Sequence, residues 1–196
     1  MSKGLLARPA ALALILANFI PLWGVIFRGW DVANILHVYW AENVVFGAVT
    51  ILKLLTNGHP KTTFQEKVSL AVFFSLHYGL FCYGHATFVF GSFVVPGGES
   101  EAGAYLVSHW FLVLGFLASH LVSYFYYYLG KGEGKRMELG KVMMLPYGRI
   151  VVLHVTIVIG GLAVAAMGNT TFLVAVLVVA KTAGDLILHF REHRAP

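Results

Sequence analysis

The chain has 196 residues, of which 58% are hydrophobic and 12% are charged, and its formal net charge is +5. A soluble globular domain carries about 25% charged residues, so the composition excludes an ordinary soluble domain and indicates one membrane-embedded domain. The single cysteine, Cys82, excludes an intrachain disulfide and a Cys-x-x-Cys zinc or redox motif.

Six segments are long and apolar enough to cross a bilayer as helices, because about 20 mostly apolar residues span about 30 Å of hydrocarbon. In chain order they are residues 9–27, 31–54, 67–91, 105–129, 148–168 and 170–190. Turn-forming stretches separate them, among them Asn57-Gly58-His59-Pro60 and Pro96-Gly97-Gly98, and Pro146 is expected to start the fifth helix. The sequence therefore predicts an all-α, polytopic bundle of six transmembrane helices that form a single domain over residues 1–196.

The basic residues predict the orientation of the bundle, since Lys and Arg concentrate in cytoplasmic loops. They lie before the first span and after the second, fourth and sixth spans, and Arg149 is counted with the loop after the fourth. The opposite loops carry Arg28 together with Asp31, Glu99 and Glu101. We therefore expect both termini in the cytoplasm and a multi-pass protein of the inner, cytoplasmic membrane. The net charge then reflects topology, so the expected partner is membrane lipid and not nucleic acid.

Histidines are unusually frequent within the predicted spans. An ionisable side chain in lipid costs free energy unless it faces the bundle interior and finds a partner. At 1.5 Å per residue, five helices place ionisable groups about 17 to 22 Å from the outer ends of their spans. This deep layer contains Glu42, His77, His120, His154, Lys181 and Asp185. A second layer, at about 6 to 9 Å, contains His37, His85 and His109.

The deep layer predicts a transition-metal site. Three imidazoles with a carboxylate or water suit zinc best, and iron or copper as alternatives. We expect His77, His120 and His154 to be the ligands, with Glu42 or Asp185 as a further ligand or as the group that orients one imidazole. Because a metal with an open position activates water, a metal-dependent intramembrane hydrolase is one candidate activity. No catalytic residue is predicted.

Two other functions fit the same residues. On the antiparallel third and fourth helices, His77 can lie opposite His120 and His85 opposite His109, as two b-type haems with paired histidine ligands require. Histidines and carboxylates inside a membrane also relay protons, so a proton-coupled transporter is the third interpretation. The alternative for each single histidine is an interhelical hydrogen bond without further function.

Four segments of the chain resemble one known family. They are residues 39–45 (YWAENVV), residues 77–81 (HYGLF) with His85, residues 146–150 (PYGRI) with His154, and residues 181–193. The chain resembles an uncharacterised family of small prokaryotic integral membrane proteins, defined only as a domain of unknown function. The resemblance extends over nearly the whole chain. It implies that Glu42, His77, His85, His154, Asp185 and His189 belong to recurrent motifs, but it implies no activity.

Overall fold

The computed structural model describes Trp23, Gly24, Phe27, residues 32–91, residues 110–167, Val179 and residues 182–184. This part of the chain contains helices and turns but no strand, which confirms the all-α prediction for it. Its helices are α1 (Val32–Leu55), α2 (Phe64–Gly91), α3 (Trp110–Ser123), α4 (Glu133–Arg136) and α5 (Leu139–Met167), and a π-helical turn (Tyr124–Gly130) continues α3. The first and sixth predicted spans, 9–27 and 170–190, lie almost wholly outside the described residues.

The helices α1 and α2 match the predicted spans 31–54 and 67–91 to within three residues. The start of α2 at Phe64 is set by a capping box between Thr63 and Glu66. The Thr63 hydroxyl accepts a hydrogen bond from the Glu66 backbone N–H at 3.2 Å, and the Glu66 carboxylate accepts one from the Thr63 backbone N–H at 2.7 Å. Both N–H groups would otherwise lack helical partners, so the pair fixes the first turn.

The prediction that Pro146 starts the fifth helix is wrong. The helix α5 begins at Leu139 and carries Pro146 in its interior. A proline inside a helix costs about 3 kcal/mol, but Leu139 and Val142 are buried in the apolar core, and each such burial contributes about 1.5 to 3 kcal/mol. Core packing therefore outweighs the local rule. As a consequence Arg149 lies about 15 Å from the start of α5, within the helix and not beside the loop with which the sequence analysis counted it.

The described residues belong to two compact units. One unit combines Met1–Leu36 with Val151–Pro196, and the other is His37–Ile150. Within the first unit, Gly184 lies so close to Val152 that a side-chain carbon at Gly184 would meet a Val152 methyl at 2.9 Å. A small residue at such a contact is typical of helices that pack in membranes.

Within the unit His37–Ile150, α1 is an inner helix and α2 an outer one. Polar residues are buried along α1, including His37, Glu42, Asn43, Thr50 and Lys53, whereas α2 exposes large apolar side chains such as Val72, Phe73, Leu76, Leu80 and Tyr83. By length and composition, one helix of the described residues, Leu36–Leu55, is apolar enough to cross a membrane. A buried core helix of a soluble protein meets the same criterion.

At one end of this unit, the loop after α1 is tied to the segment before α5. The buried Asn57 side-chain amide donates hydrogen bonds to the Tyr128 hydroxyl at 3.1 Å and to the Met137 carbonyl at 3.0 Å. The backbone N–H of Gly58 donates to the Gly134 carbonyl at 3.0 Å. We call this contact the loop clasp. It joins the two loops that the charge pattern assigned to the same side of the membrane.

Candidate functional site

Three buried residues of α1 define the inner face on which the candidate site is built. Glu42, Phe46 and Lys53 are separated by four and seven residues, so they lie on nearly the same side of the helix. All three side chains are buried. Two of them, Glu42 and Lys53, are charged, and burying a charged group is costly unless partners are close.

Arg149 of α5 supplies a partner for Glu42. Its Nη1 lies 3.5 Å from Glu42 Oε1, and the two side chains are 15% and 10% exposed. The guanidinium carbon also lies 4.3 Å from the centre of the Phe46 ring. Breaking a buried pair of this kind by removing one member typically costs about 3 to 5 kcal/mol, because the remaining charge stays buried. The pair therefore joins α1 to α5 in the interior of the unit.

Two more ionisable side chains border the same Phe46 ring. The imidazole of His120, on α3, meets the ring edge-on with 5.1 Å between centroids. The ammonium of Lys53 lies 6.0 Å from the Phe46 centroid and 5.6 Å from that of Tyr128. A lysine side chain on a helix points back toward the N-terminus, which is how Lys53 reaches a ring two turns earlier. We call Glu42, Phe46, Lys53, His120 and Arg149 the charge cluster.

His77 has a different environment from the one predicted. It is exposed on α2, its Nδ1 is hydrogen-bonded to the Tyr147 hydroxyl at 2.6 Å, and its ring stacks on Phe73 with 5.4 Å between centroids. The next residue, Tyr78, is buried and donates a hydrogen bond to the Asn43 carbonyl at 3.2 Å. Tyr78 therefore contributes to the contact between α2 and α1, while His77 contacts α5 through Tyr147.

The remaining predicted site residues are dispersed or lie outside the described part. His85 is buried, and its Nδ1 is hydrogen-bonded to the Phe81 carbonyl of its own helix at 2.7 Å. His154 is exposed and belongs to the unit that contains residues 151–196. Asp185 and His109, like Lys181 and His189, lie outside the described residues.

Among the residues that the structure describes, no three His, Cys, Asp or Glu side chains are close enough to share a metal ion. Glu42 and His120, two of the residues predicted for the metal site, both lie near Phe46. The zinc site and the two b-type haem sites stay predictions; Asp185 of the zinc site and His109 of the second haem pair lie outside the described part.

Two charged residues of the charge cluster were not predicted as site residues. Lys53 and Arg149 lie near the ends of the predicted spans, so the sequence analysis counted them as loop charges that set the topology. The signal that was available for Arg149 is its place in the segment 146–150, one of the four that carry the family resemblance. For Lys53, the available signal is its separation of eleven residues from Glu42, which places the two side chains on nearly the same face of a helix.

The described part of the chain is thus an all-α assembly with a buried charge cluster. The chain belongs to DUF6498, a family of unknown function, whose model matches residues 1–196. This confirms that the resemblance seen in the sequence was to an uncharacterised family. No curated protein and no solved structure matches the chain, so the function has to be inferred from the chemistry of the site.

Proposed function

We propose that the protein is an integral membrane protein with the six-span, N-in and C-in topology of the sequence analysis, in the inner membrane. The distribution of polarity supports this proposal. Leu76 and Leu80 on α2 are 71% and 68% exposed, while Glu42 and Lys53 are buried. Exposed apolar patches of this kind are rare on soluble monomers, and in lipid the polar groups turn to the bundle interior.

The topology is testable by cysteine labelling in a Cys82→Ala background. We expect a cysteine introduced at Gly98 to react with an impermeant thiol reagent from outside the cell. A cysteine at the exposed Lys135 should react only after the membrane is opened. The reverse pattern would overturn the orientation, and labelling of both positions from one side would overturn the number of spans.

Within this topology we propose that the protein is a proton-coupled transporter in which Glu42 binds the transported proton. The observation that carries the proposal is the Glu42–Arg149 ion pair inside the unit, with His120 and Lys53 on the same Phe46 ring. Glu42 lies about 20 Å from the C-terminal end of α1, near the middle of a bilayer. Ionisable residues at that depth mark ion pathways and proton relays.

Protonation of Glu42 has a large energetic effect on this site. At an effective dielectric constant of about 20, two unit charges about 4 Å apart attract by about 4 kcal/mol. Neutralising the carboxylate removes that attraction and leaves Arg149 buried without its counter-charge. A change of this size is comparable to the roughly 5.5 kcal/mol that moves a two-state equilibrium from 1:99 to 99:1. A proton that binds Glu42 more tightly in one of two conformations would shift the equilibrium between them.

The experiment uses the purified full chain in proteoliposomes that contain a trapped pH-indicator dye. Solutes are added by class: small carboxylates, inorganic anions, amines, sugars and metal ions. We expect one class to drive proton movement and Glu42→Gln to abolish it. Glu138→Gln is the matched control, because this carboxylate is exposed and pairs with the neighbouring exposed Lys141 at 3.5 Å. The proposal would be overturned if no class of solute drives proton movement, or if proton movement is unchanged in Glu42→Gln.

The same preparation tests the metal and haem hypotheses. Elemental analysis and an absorption spectrum are taken on protein that has never met a chelator. About one zinc, iron or copper per chain, lost in both Glu42→Gln and His120→Ala, would replace the transporter by a metal centre. A Soret band would replace it by an electron-transfer protein. If the protein is a proton-coupled transporter, we expect neither a metal nor a haem at about one per chain.

A further inference from the structure

We infer that the loop clasp assembles a docking surface for the headgroups of anionic phospholipids. Four exposed cations form this surface, which we call the basic surface: Lys61 in the loop after α1, and Lys131, Lys135 and Arg136 in and just before α4. The inference goes beyond the proposed transport and rests on the proposed topology alone, which places both loops on the cytoplasmic side of the membrane.

The loop clasp holds cations from two distant parts of the chain at one end of the unit. Besides the backbone hydrogen bond from Gly58 to Gly134, the Lys135 side chain packs on Gly58, where an added side-chain carbon would lie 3.0 Å from Lys135 Cγ. The Lys61 backbone N–H donates to His59 Nδ1 at 3.3 Å, which orders the same loop. Cations of both loops are therefore carried by one joined structure.

The charge at this end of the unit is positive. Residues 56–68 and 130–141 contain six basic and three acidic residues. Of the acidic residues, Glu138 pairs with a neighbouring lysine at 3.5 Å, Glu66 belongs to the capping box of α2, and Glu133 is half-buried. Among the residues that the structure describes, the four cations of the basic surface form no ion pair with a carboxylate. Basic residues placed in this way beside a membrane are attracted to anionic lipids.

Exposed aromatic side chains adjoin these cations, and they favour a membrane over other polyanions. Phe64, three residues after Lys61, is 79% exposed, and Tyr126 is exposed on the π-helical turn. The Lys131 ammonium lies 4.7 Å from the Tyr126 ring centroid and 5.0 Å from that of Tyr127. Tyrosines are enriched where a membrane meets water, and a lysine there lays its stem on apolar groups while its ammonium stays at headgroup level. A nucleic acid would use the cations but gain little from the exposed Phe64.

The test measures the unfolding temperature of the full chain in neutral detergent with added phosphatidylglycerol or phosphatidylcholine of identical acyl chains. We expect phosphatidylglycerol to raise the unfolding temperature more, and in a saturable way, because a ligand that binds the folded state stabilises it. Sodium chloride should reduce the difference, since salt screens exposed charges. Equal stabilisation by the two lipids would overturn the inference. Equal stabilisation by inorganic phosphate or by a short oligonucleotide would also overturn it, in favour of a free anion or a nucleic acid.

Variants then locate the surface. The double variant Lys61→Gln/Lys135→Gln removes one cation from each loop, and it should lose at least half of the difference between the two lipids. The matched control is Lys61→Arg/Lys135→Arg, which keeps both charges and should retain the difference. Each variant is compared with itself in phosphatidylcholine, so a general loss of stability does not affect the result. An unchanged difference in the Gln variant, or an equal loss in the Arg variant, would overturn the inference.

The outcomes separate this inference from the proposed function. If cysteine labelling gives the expected topology but the two lipids stabilise the protein equally, the topology stands and the lipid surface is wrong. If phosphatidylglycerol stabilises the protein through Lys61 and Lys135 but no solute moves protons, the lipid surface stands and the transporter is wrong.

Discussion

The ring of Tyr78 packs directly on the backbone of Gly47, so that a side-chain carbon at position 47 would lie 2.6 Å from Tyr78 Cε1. This contact brings α2 against α1 beside the charge cluster, and the Tyr78 hydroxyl completes it by donating to the Asn43 carbonyl. Gly47 is therefore required by the close approach of the two helices.

Gly47→Ala should destabilise the protein by about 1 to 3 kcal/mol, because the added methyl group forces the Tyr78 ring to move in a packed interior. The measurement is thermal unfolding in detergent. Gly79→Ala is the matched control, since a methyl group added at Gly79 would have no neighbouring atom within 4 Å and alanine favours a helix over glycine. Equal stability of Gly47→Ala and the natural chain would show that the two helices are not in contact here.

Tyr128→Phe tests the loop clasp. The Tyr128 hydroxyl accepts a hydrogen bond from the Asn57 side-chain amide and donates one to the Lys53 carbonyl at 2.8 Å. Its removal leaves buried polar atoms unsatisfied, which costs about 1 to 3 kcal/mol. Tyr126→Phe, at an exposed position of the same π-helical turn, should leave the unfolding temperature unchanged. If the two variants unfold alike, the clasp contributes nothing to stability.

A double-mutant cycle tests the Glu42–Arg149 pair. Glu42→Gln and Arg149→Gln should each cost about 3 to 5 kcal/mol, and the double variant less than their sum. The exposed Glu138–Lys141 pair is the control, and its cycle should give a coupling of at most about 1 kcal/mol. Strict additivity for Glu42 and Arg149 would mean that the two charges do not interact.

Glu66 predicts a pH dependence at the start of α2. Hydrogen bonds from the backbone N–H and the hydroxyl of Thr63 lower the pKa of Glu66 below its ordinary value of 4.5. Because the folded pKa is the lower one, the stabilisation is present above the ordinary value and is lost as the pH falls through the lowered one. Amide hydrogen exchange should therefore show the first turn of α2 opening in acid. Glu66→Gln should remove the pH dependence of this opening, and its persistence would contradict the assignment.

The sequence was sufficient to predict the helices α1 and α2, because each is an apolar run bounded by residues with strong local preferences. Asn57, Gly58 and Pro60 end the first run. The capping box of Thr63 and Glu66, which the prediction did not use, starts the second helix three residues before the predicted residue 67. The start of α5 could not be predicted, since the local rule for Pro146 is opposed by the burial of Leu139, which depends on the rest of the fold. Local patterns predict an element boundary only where tertiary packing agrees with them.

The residues of the charge cluster could be predicted from the sequence only in part. Counting residues predicted similar depths for Glu42 and His120. In the structure, Glu42 pairs with Arg149, whose guanidinium lies on the Phe46 ring, and His120 meets the same ring edge-on. The same count placed His77 at that depth, yet its ring faces Tyr147 and Phe73, because depth along a helix does not determine which neighbour a side chain meets. Arg149 was missed for a related reason. A basic residue near the end of a span can lie at a loop and set the topology, or it can pair with a carboxylate in the interior. Which of the two occurs depends on whether the fold brings a carboxylate opposite to it.

The loop clasp has a consequence for the order in which the protein assembles. The two groups that accept hydrogen bonds from the Asn57 amide are 71 and 80 residues further along the chain. While the ribosome is still making those residues, the Asn57 amide has only water to bond with, and α1 and α2 form a hairpin with an unfinished end. We expect that hairpin to tighten only after Met137 has emerged, so a nascent chain arrested before that residue should remain open to protease at residues 57–63.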